Sequence, residues 1–401
     1  MSLPLTNSNH KPSVAALLLV KSHHATSFFY PPILCFKSHD DDNEEHHQLD
    51  YAGRLRESVS AGETVGNIVI TLAFKRITEL LLRRITIMKS IARLAISLLL
   101  AISFAGSIVG DDVKRPRILG LSHMALFVSD LKKARAFYED FLGYQEPYVL
   151  KREDGSDWIV FIRISDDQYI ELFAENPKQD GHLNHIAFFT DSAQNLYEYL
   201  ASRGVKVPDK VGKGRIGNSN FNIADPDGHT VEIVQYEPDS WTRREKGKFM
   251  PDTRISTQMA HVGVLVGALE ASLKFYRDIL GFQEFWRGSS SGKELSWVNM
   301  RVPDAQDYLE LMLYSKRPDA EQMGSKNHLC LVTPDIKKAV ALLESRPARK
   351  NYTRPIEVKV GKNGKRQVNL FDPDGTRIEL MEPNTVDGKA VPSSTAPPPS
   401  K

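Results

Sequence analysis

Four strand-like segments each carry one histidine: LSHMALFV (121–128), LNHIAFFT (183–190), MAHVGVLV (259–266) and KNHLCLVT (326–333). Each is followed by a strand-like segment carrying one glutamate: YIELF (169–173), TVEIVQY (230–236), YLELML (308–313) and RIELM (377–381). The pairs are His123/Glu171, His185/Glu232, His261/Glu310 and His328/Glu379, separated by 48, 47, 49 and 51 residues. A lone strand histidine or glutamate is ordinarily a core or solvent-facing residue. Recurrence four times at nearly one spacing sets these eight apart. Polar groups turned inward are costly unless paired or coordinated. Neutral imidazoles beside carboxylates suit a divalent transition metal. Two nitrogens and two oxygens leave up to two octahedral positions for water or substrate. Such a centre polarises a carbonyl oxygen as a Lewis acid, and a loosely held glutamate can act as base on the neighbouring carbon. The candidate ligands are His123, Glu171, His185 and Glu232 in one set and His261, Glu310, His328 and Glu379 in the other. The four glutamates are also the candidate catalytic bases.

These residues need strands to carry them and helices to back the strands. In the first segment Met124, Leu126 and Val128 share one face, while His123, Ala125 and Phe127 share the other. Leu131, Ala134, Phe137, Tyr138, Phe141 and Leu142 recur at helical spacing, with Asp130 at the N-cap and Gly143 past the end. Leu269, Leu273, Tyr276, Ile279 and Leu280 repeat that stripe before Gly281. Phe137, Tyr138, Phe275 and Tyr276 read as helix core. The repeats alternate in type. The first and third share FYEDFLGY (137–144) and FYRDILGF (275–282), and the second and fourth share DPDG at 225–228 and 372–375. DPDG supplies turn chemistry before a final strand. The expected fold class is α+β: four βαβββ repeats grouped as module one (118–238) and module two (256–383). A polar linker (239–255) joins them, and a low-complexity tail (384–401) is expected to be disordered. Cys330 shares a face with His328 and reads as a small buried residue.

With these motifs the chain resembles the vicinal oxygen chelate superfamily, which includes glyoxalase I, extradiol dioxygenases and bleomycin-resistance proteins. The resemblance spans roughly 118–383 and implies paired βαβββ units that curl into a cup around a metal. By similarity to glyoxalase I, which takes His, Glu, His and Glu from successive repeats, both quartets match. Glu171 or Glu232 would then move the substrate proton while the metal stabilises an enediolate. That reading implies nickel, zinc, cobalt or manganese. Similarity to the extradiol dioxygenases would imply iron held by two histidines and one glutamate, together with ring cleavage. Similarity to the resistance proteins would imply sequestration of a ligand or drug without turnover.

The chain has 401 residues, 41% hydrophobic and 25% charged, with a net charge of +2. This ordinary balance gives no argument for a nucleic-acid partner. Only Cys35 and Cys330 are present, which excludes a disulfide framework and a Cys-rich zinc site. Residues 88–107 combine a short basic start at Met88-Lys-Ser-Ile-Ala-Arg93 with most of an uncharged run (94–109) and small residues near its end, as in a secretory signal peptide. The expectation is translation from Met88, with 1–87 a mis-called or disordered leader, and a periplasmic or secreted product with no membrane attachment after cleavage. A type II membrane anchor is the alternative. The expected partner is a small-molecule substrate, and a homodimer is allowed.

Overall fold

The computed structural model describes residues 114–176 and 181–400, with the isolated positions Arg76, Arg84 and Met88. Apart from those three positions, the leader and signal-peptide expectations lie outside the described residues. The described residues from 114 onward all belong to the compact unit that begins at Val109.

In module one the elements run β1 (Ile118–Phe127), α1 (Leu131–Arg135), β2 (Gln145–Lys151), β3 (Asp157–Arg163), β4 (Tyr169–Phe173), β5 (Leu183–Thr190), α2 (Ala193–Ser202), β6 (Gly212–Lys213), β7 (Ser219–Ala224) and β8 (Thr230–Gln235). A short α3 (Trp241–Arg244) lies in the linker. Module two repeats the plan with β9 (Met259–Val266), α4 (Leu269–Leu273), β10 (Gln283–Gly288), β11 (Trp297–Arg301), β12 (Tyr308–Leu313), α5 (Ala320–Lys326), β13 (His328–Val332), α6 (Ile336–Ser345), β14 (Lys359–Val360), β15 (Lys365–Phe371) and β16 (Arg377–Thr385). Among the described residues these strands form two eight-stranded sheets, ordered β2-β3-β4-β1-β5-β8-β7-β6 and β10-β11-β12-β9-β13-β16-β15-β14. This is the α+β arrangement of four βαβββ repeats.

Each sheet joins two repeats along their first strands. β1 pairs antiparallel with β5, and each pairs parallel with the last strand of its own repeat, β4 or β8. The histidine strands and glutamate strands therefore occupy the four central places of the sheet. Alternation does the sorting: Met124, Leu126 and Val128 enter the core behind the sheet, and His123 turns to the concave face. That core is continuous through both modules. It includes Tyr138, Phe141 and Phe188 from the first and Tyr276, Phe282 and Leu343 from the second.

The first helices begin as the sequence suggests. Asp130 accepts a hydrogen bond from the Lys133 N–H, and Gly143 and Gly281 follow the helices at φ of 79° and 78°, where a side chain would be strained. Their second halves depart from the α pattern. Ala136–Phe141 and Lys274–Ile279 widen into π turns, marked by Leu142 N–H donating to Phe137 O and Leu280 N–H to Phe275 O. The wider turn lets the adjacent pairs Phe137–Tyr138 and Phe275–Tyr276 both stay buried.

The linker and tail are more ordered than their composition suggests. Ser240, Thr242 and Ile255 are buried, and Thr253 Oγ1 donates to Gly143 O. The tail, expected to be disordered, lies against module two. Ser394 N–H donates to Arg287 O, and Pro397 O accepts from Leu295 N–H. β10 is an outermost strand of its sheet, so its Arg287 backbone is free to pair with the tail, and Leu295, between β10 and β11, supplies the second partner.

Candidate functional site

The first four candidate residues meet on the concave face of the first sheet. His123 Nε2 lies 2.8 Å from His185 Nε2, 2.9 Å from Glu232 Oε2 and 3.6 Å from Glu171 Oε1. His185 Nε2 lies 3.1 Å from Glu232 Oε2 and 3.7 Å from Glu171 Oε2. All four side chains are buried. Donors held about 2.0–2.2 Å from one cation stand roughly 3–3.5 Å from each other. Ligand atoms of His123, Glu171 and His185 lie close enough together to share a divalent metal, and Glu232 stands against both histidines.

Surrounding residues aim the two imidazoles. His185 Nδ1 is 2.9 Å from the Asn184 side-chain oxygen, an acceptor, so Nδ1 carries the proton and Nε2 presents its lone pair to the cluster. His123 Nδ1 is 2.8 Å from Ser122 Oγ, which is 2.7 Å from the Tyr236 hydroxyl. That hydroxyl also lies 2.7 Å from the Asp167 carbonyl, which can only accept. The assignment that satisfies all three contacts runs from His123 Nδ1–H through Ser122 and Tyr236 to Asp167, and it leaves His123 Nε2 unprotonated. Tyr169 stacks on the His123 ring at 4.6 Å.

The two carboxylates differ in how they are held. Glu232 accepts from Asn220 Nδ2 and contacts both histidines. Burial would raise its pKa, but hydrogen bonds and charge from His123 and His185, in the metal-free state in which those rings carry a proton on Nε2, reverse the effect and hold it well below the usual carboxylate range. Glu171 has only the longer contacts, and burial raises its pKa. Burial opposes charge on His123 too, yet the Glu171 and Glu232 carboxylates outweigh it and raise its pKa. The centre therefore contains one tied carboxylate and one looser one.

The second quartet converges in the same way within module two. His261 Nε2 and His328 Nε2 are 3.1 Å apart, and His328 Nε2 is 3.5 Å from both Glu310 Oε2 and Glu379 Oε2. His261 Nε2 is 3.8 Å from Glu379 Oε2. Cys330 is fully buried, as its type suggested. Its Sγ also lies within 4.8 Å of candidate ligand atoms on His261 and Glu379. His328 Nδ1 donates to Lys326 O, 2.7 Å away. The match to module one stops at His261. Ala260 replaces Ser122, Pro383 replaces Tyr236, and His261 Nδ1 is buried without a partner. Burial pushes Glu310 up to about 8, with Glu379 adding to the effect, whereas His328 and Arg377 hold Glu379 down at about 2 against its own burial.

Each quartet therefore assembles from the two repeats of one module. The supporting residues Ser122, Asn184, Asn220 and Tyr236, and Arg377 in module two, were not singled out from the sequence. Arg377 stands two positions before Glu379, and Tyr236 four after Glu232, so strand alternation alone puts each on its ligand's face.

Two cups built from paired βαβββ repeats, each centred on a His-Glu-His-Glu cluster, define a two-module chelate-type protein. The glyoxalase/bleomycin resistance protein/dioxygenase superfamily profile matches residues 120–233 and again 258–380, and the chain belongs to that superfamily. Among curated relatives, lactoylglutathione lyase of Schizosaccharomyces pombe is 22% identical over 313 residues, covering 65% of this chain and 96% of that protein. Glyoxalase I of Saccharomyces cerevisiae is 26% identical over 110 residues, covering 27% of this chain and 31% of that protein. Among solved structures, a variant of homoprotocatechuate 2,3-dioxygenase from B. fuscum superimposes with a TM-score of 0.52 at 19% identity, covering 67% of this chain and 72% of that one. The 2,3-dioxygenase LapB from Pseudomonas sp. KL28 gives 0.51 at 14% identity, covering 70% and 98%. These structural likenesses describe the fold.

Proposed function

We propose that the protein is a divalent-metal-dependent enzyme of the glyoxalase type, moving a proton on a small oxygenated substrate, with the first cup as its principal centre. The observation that carries this reading is the buried quartet His123, Glu171, His185 and Glu232, in which His123, Glu171 and His185 can share one cation, Glu232 contacts both histidines, and both imidazoles are oriented from behind. The likeness to lactoylglutathione lyase and glyoxalase I supports it. When bound, nickel, zinc, cobalt or manganese would supply Lewis-acid polarisation of a substrate oxygen. His123, His185 and Glu232 hold the site. Glu171, the looser carboxylate with the raised pKa, takes the proton from the carbon next to the substrate oxygen and returns it to the neighbouring carbon. Tyr169 stacks on His123 and Phe173 meets His185 edge-on, so apolar rings border the centre where that transfer takes place.

The test is proton exchange in deuterated solvent with a panel of 2-oxoaldehyde adducts and 2-hydroxycarbonyl compounds. Deuterium incorporation without oxygen uptake supports the proposal. Glu171→Gln should lower exchange by about a hundredfold or more while keeping the metal, whereas Glu232→Gln should lose metal. Oxygen consumption with catechols and ferrous iron would support ring cleavage instead, the activity named for the structural relatives. Tight binding with no turnover would support sequestration. We further propose export from Met88. N-terminal mass spectrometry of the mature protein tests it, and a peptide from residues 1–87 would overturn it.

A further inference from the structure

The second cup differs from the first in what surrounds its quartet. A cavity of about 340 Å³ opens onto His261, Glu310 and Glu379. Its size is at the small end for organic ligands. Trp286 and Trp297 form part of its wall, and Gly288 permits their approach: a Cβ there would lie 2.3 Å from Trp286 Cη2 and 2.8 Å from Trp297 Cε3. Arg377 also lines it, and Lys359 and Lys362 stand exposed at the same opening. The corresponding position to Arg377 in module one is Thr230, so this cation belongs to the second cup alone.

The lining contains donors with nothing to bind. Arg377 Nε, Arg377 Nη2 and Trp286 Nε1 are shielded from solvent and have no hydrogen-bond partner. Leaving buried charged donors unmade is expensive, so such groups call for a ligand or ordered water. Arg377 Nε and Nη2 belong to one planar guanidinium, the fork that binds a carboxylate through two parallel bonds. Indole walls favour a flat ring beside that carboxylate.

We propose that the second cup is a binding site for a small planar organic carboxylate of about one ring, with Arg377 holding the carboxylate and Trp286 and Trp297 flanking the ring. The two cups then divide the work: the first transforms a substrate and the second recognises an anion. This assignment rests on module two and stands whether or not the first cup has the activity proposed above.

Benzoate is the probe, with benzamide as its neutral counterpart, titrated into the full chain by calorimetry and by tryptophan fluorescence. Benzoate should bind at least about tenfold more tightly than benzamide. Arg377→Gln should reduce benzoate affinity by about tenfold or more, and Lys362→Gln by a few-fold, since Lys362 is exposed and acts through the screened field. Should Arg377→Gln fail to fold, the benzoate–benzamide comparison and Lys362→Gln decide. Equal binding of benzoate and benzamide, or no binding of either at millimolar concentration, would overturn the proposal. Loss of benzoate binding on chelator treatment would also overturn it, because the carboxylate would then be held by a metal rather than by Arg377. Loss on His123→Ala would place the probe in the first cup and refute the assignment.

Discussion

The Tyr276 hydroxyl in module two donates to Asp225 Oδ2 in module one, across 2.9 Å of buried space. The reciprocal bond, from Tyr138 in module one to Asp372 Oδ2 in module two, spans 3.1 Å. Each aspartate opens a DPDG turn and each tyrosine sits in a π turn, so the motifs that alternate along the chain fasten the modules to each other. Backbone and hydroxyl groups extend both clasps: Gly267 N–H donates to Asp227, and Ser129 N–H and Oγ–H donate to Asp374.

Removing one clasp should cost modest stability. Tyr276→Phe leaves Asp225 with His229 and two backbone donors but without its cross-module partner. The expected loss is about 1–2 kcal/mol, read as a lower urea midpoint. Tyr138→Phe should behave alike. The double variant should lose about the sum, because the two sites share no partner. If neither single variant moves the midpoint, the clasps do not hold the modules.

Metal content should follow the cups separately. His123→Ala should lose the metal of the first cup and leave any metal bound by His261, Glu310, His328 and Glu379 unchanged, as read by elemental mass spectrometry. Simultaneous loss from both cups would contradict the within-module assembly of each quartet.

The hydrogen-bonded chain behind His123 should matter without touching metal or substrate. Ser122→Ala or Tyr236→Phe should weaken metal affinity at the first cup by roughly 10–100-fold, measured by chelator competition. Affinity within twofold of the native value would show that Ser122 and Tyr236 do not position the ligand.

Packing at Gly263 should be equally sharp. A Cβ there would lie 2.1 Å from His328 Cε1 and 2.2 Å from Nδ1. Gly263→Ala should therefore displace His328 and cost about 1–3 kcal/mol, with damage confined to the second cup. An unchanged melting temperature and unchanged second-cup chemistry would refute it.

Asp307 predicts a pH effect between the modules. Its carboxylate accepts from Leu121 N–H and the Gln168 side chain of module one, and burial raises its pKa to about 6. Because the folded value lies above the ordinary 3.8, the folded state binds the proton more tightly. This group's contribution is greatest below about pH 4, falls as pH rises to about 6 and then stays constant. Asp307→Asn should remove that fall, so the native chain should lose about 2–3 kcal/mol relative to the variant between pH 4 and pH 6. Parallel stability curves for the two proteins across that range would refute the assignment.

Repetition of a His strand and a Glu strand four times was legible in the sequence, because strand period and ligand chemistry are both local. From them came the α+β repeats, the two modules and all eight residues that the cups bring together. The helix boundaries at Asp130, Gly143 and Gly281 were legible for the same reason: capping depends on a few neighbouring residues. Pairing of strands was not local. Each repeat carries half a quartet, and only the antiparallel β1–β5 and β9–β13 junctions place both halves in the same cup. The π turns, the DPDG clasps and the seat of the 386–400 tail likewise arise where residues distant in the chain meet. The difference between the cups lay in the sequence as Ser122 against Ala260, Tyr236 against Pro383 and Thr230 against Arg377. Those substitutions acquire meaning only when the sheet turns each side chain toward its histidine or its cavity, because orientation and burial are properties of the assembled fold.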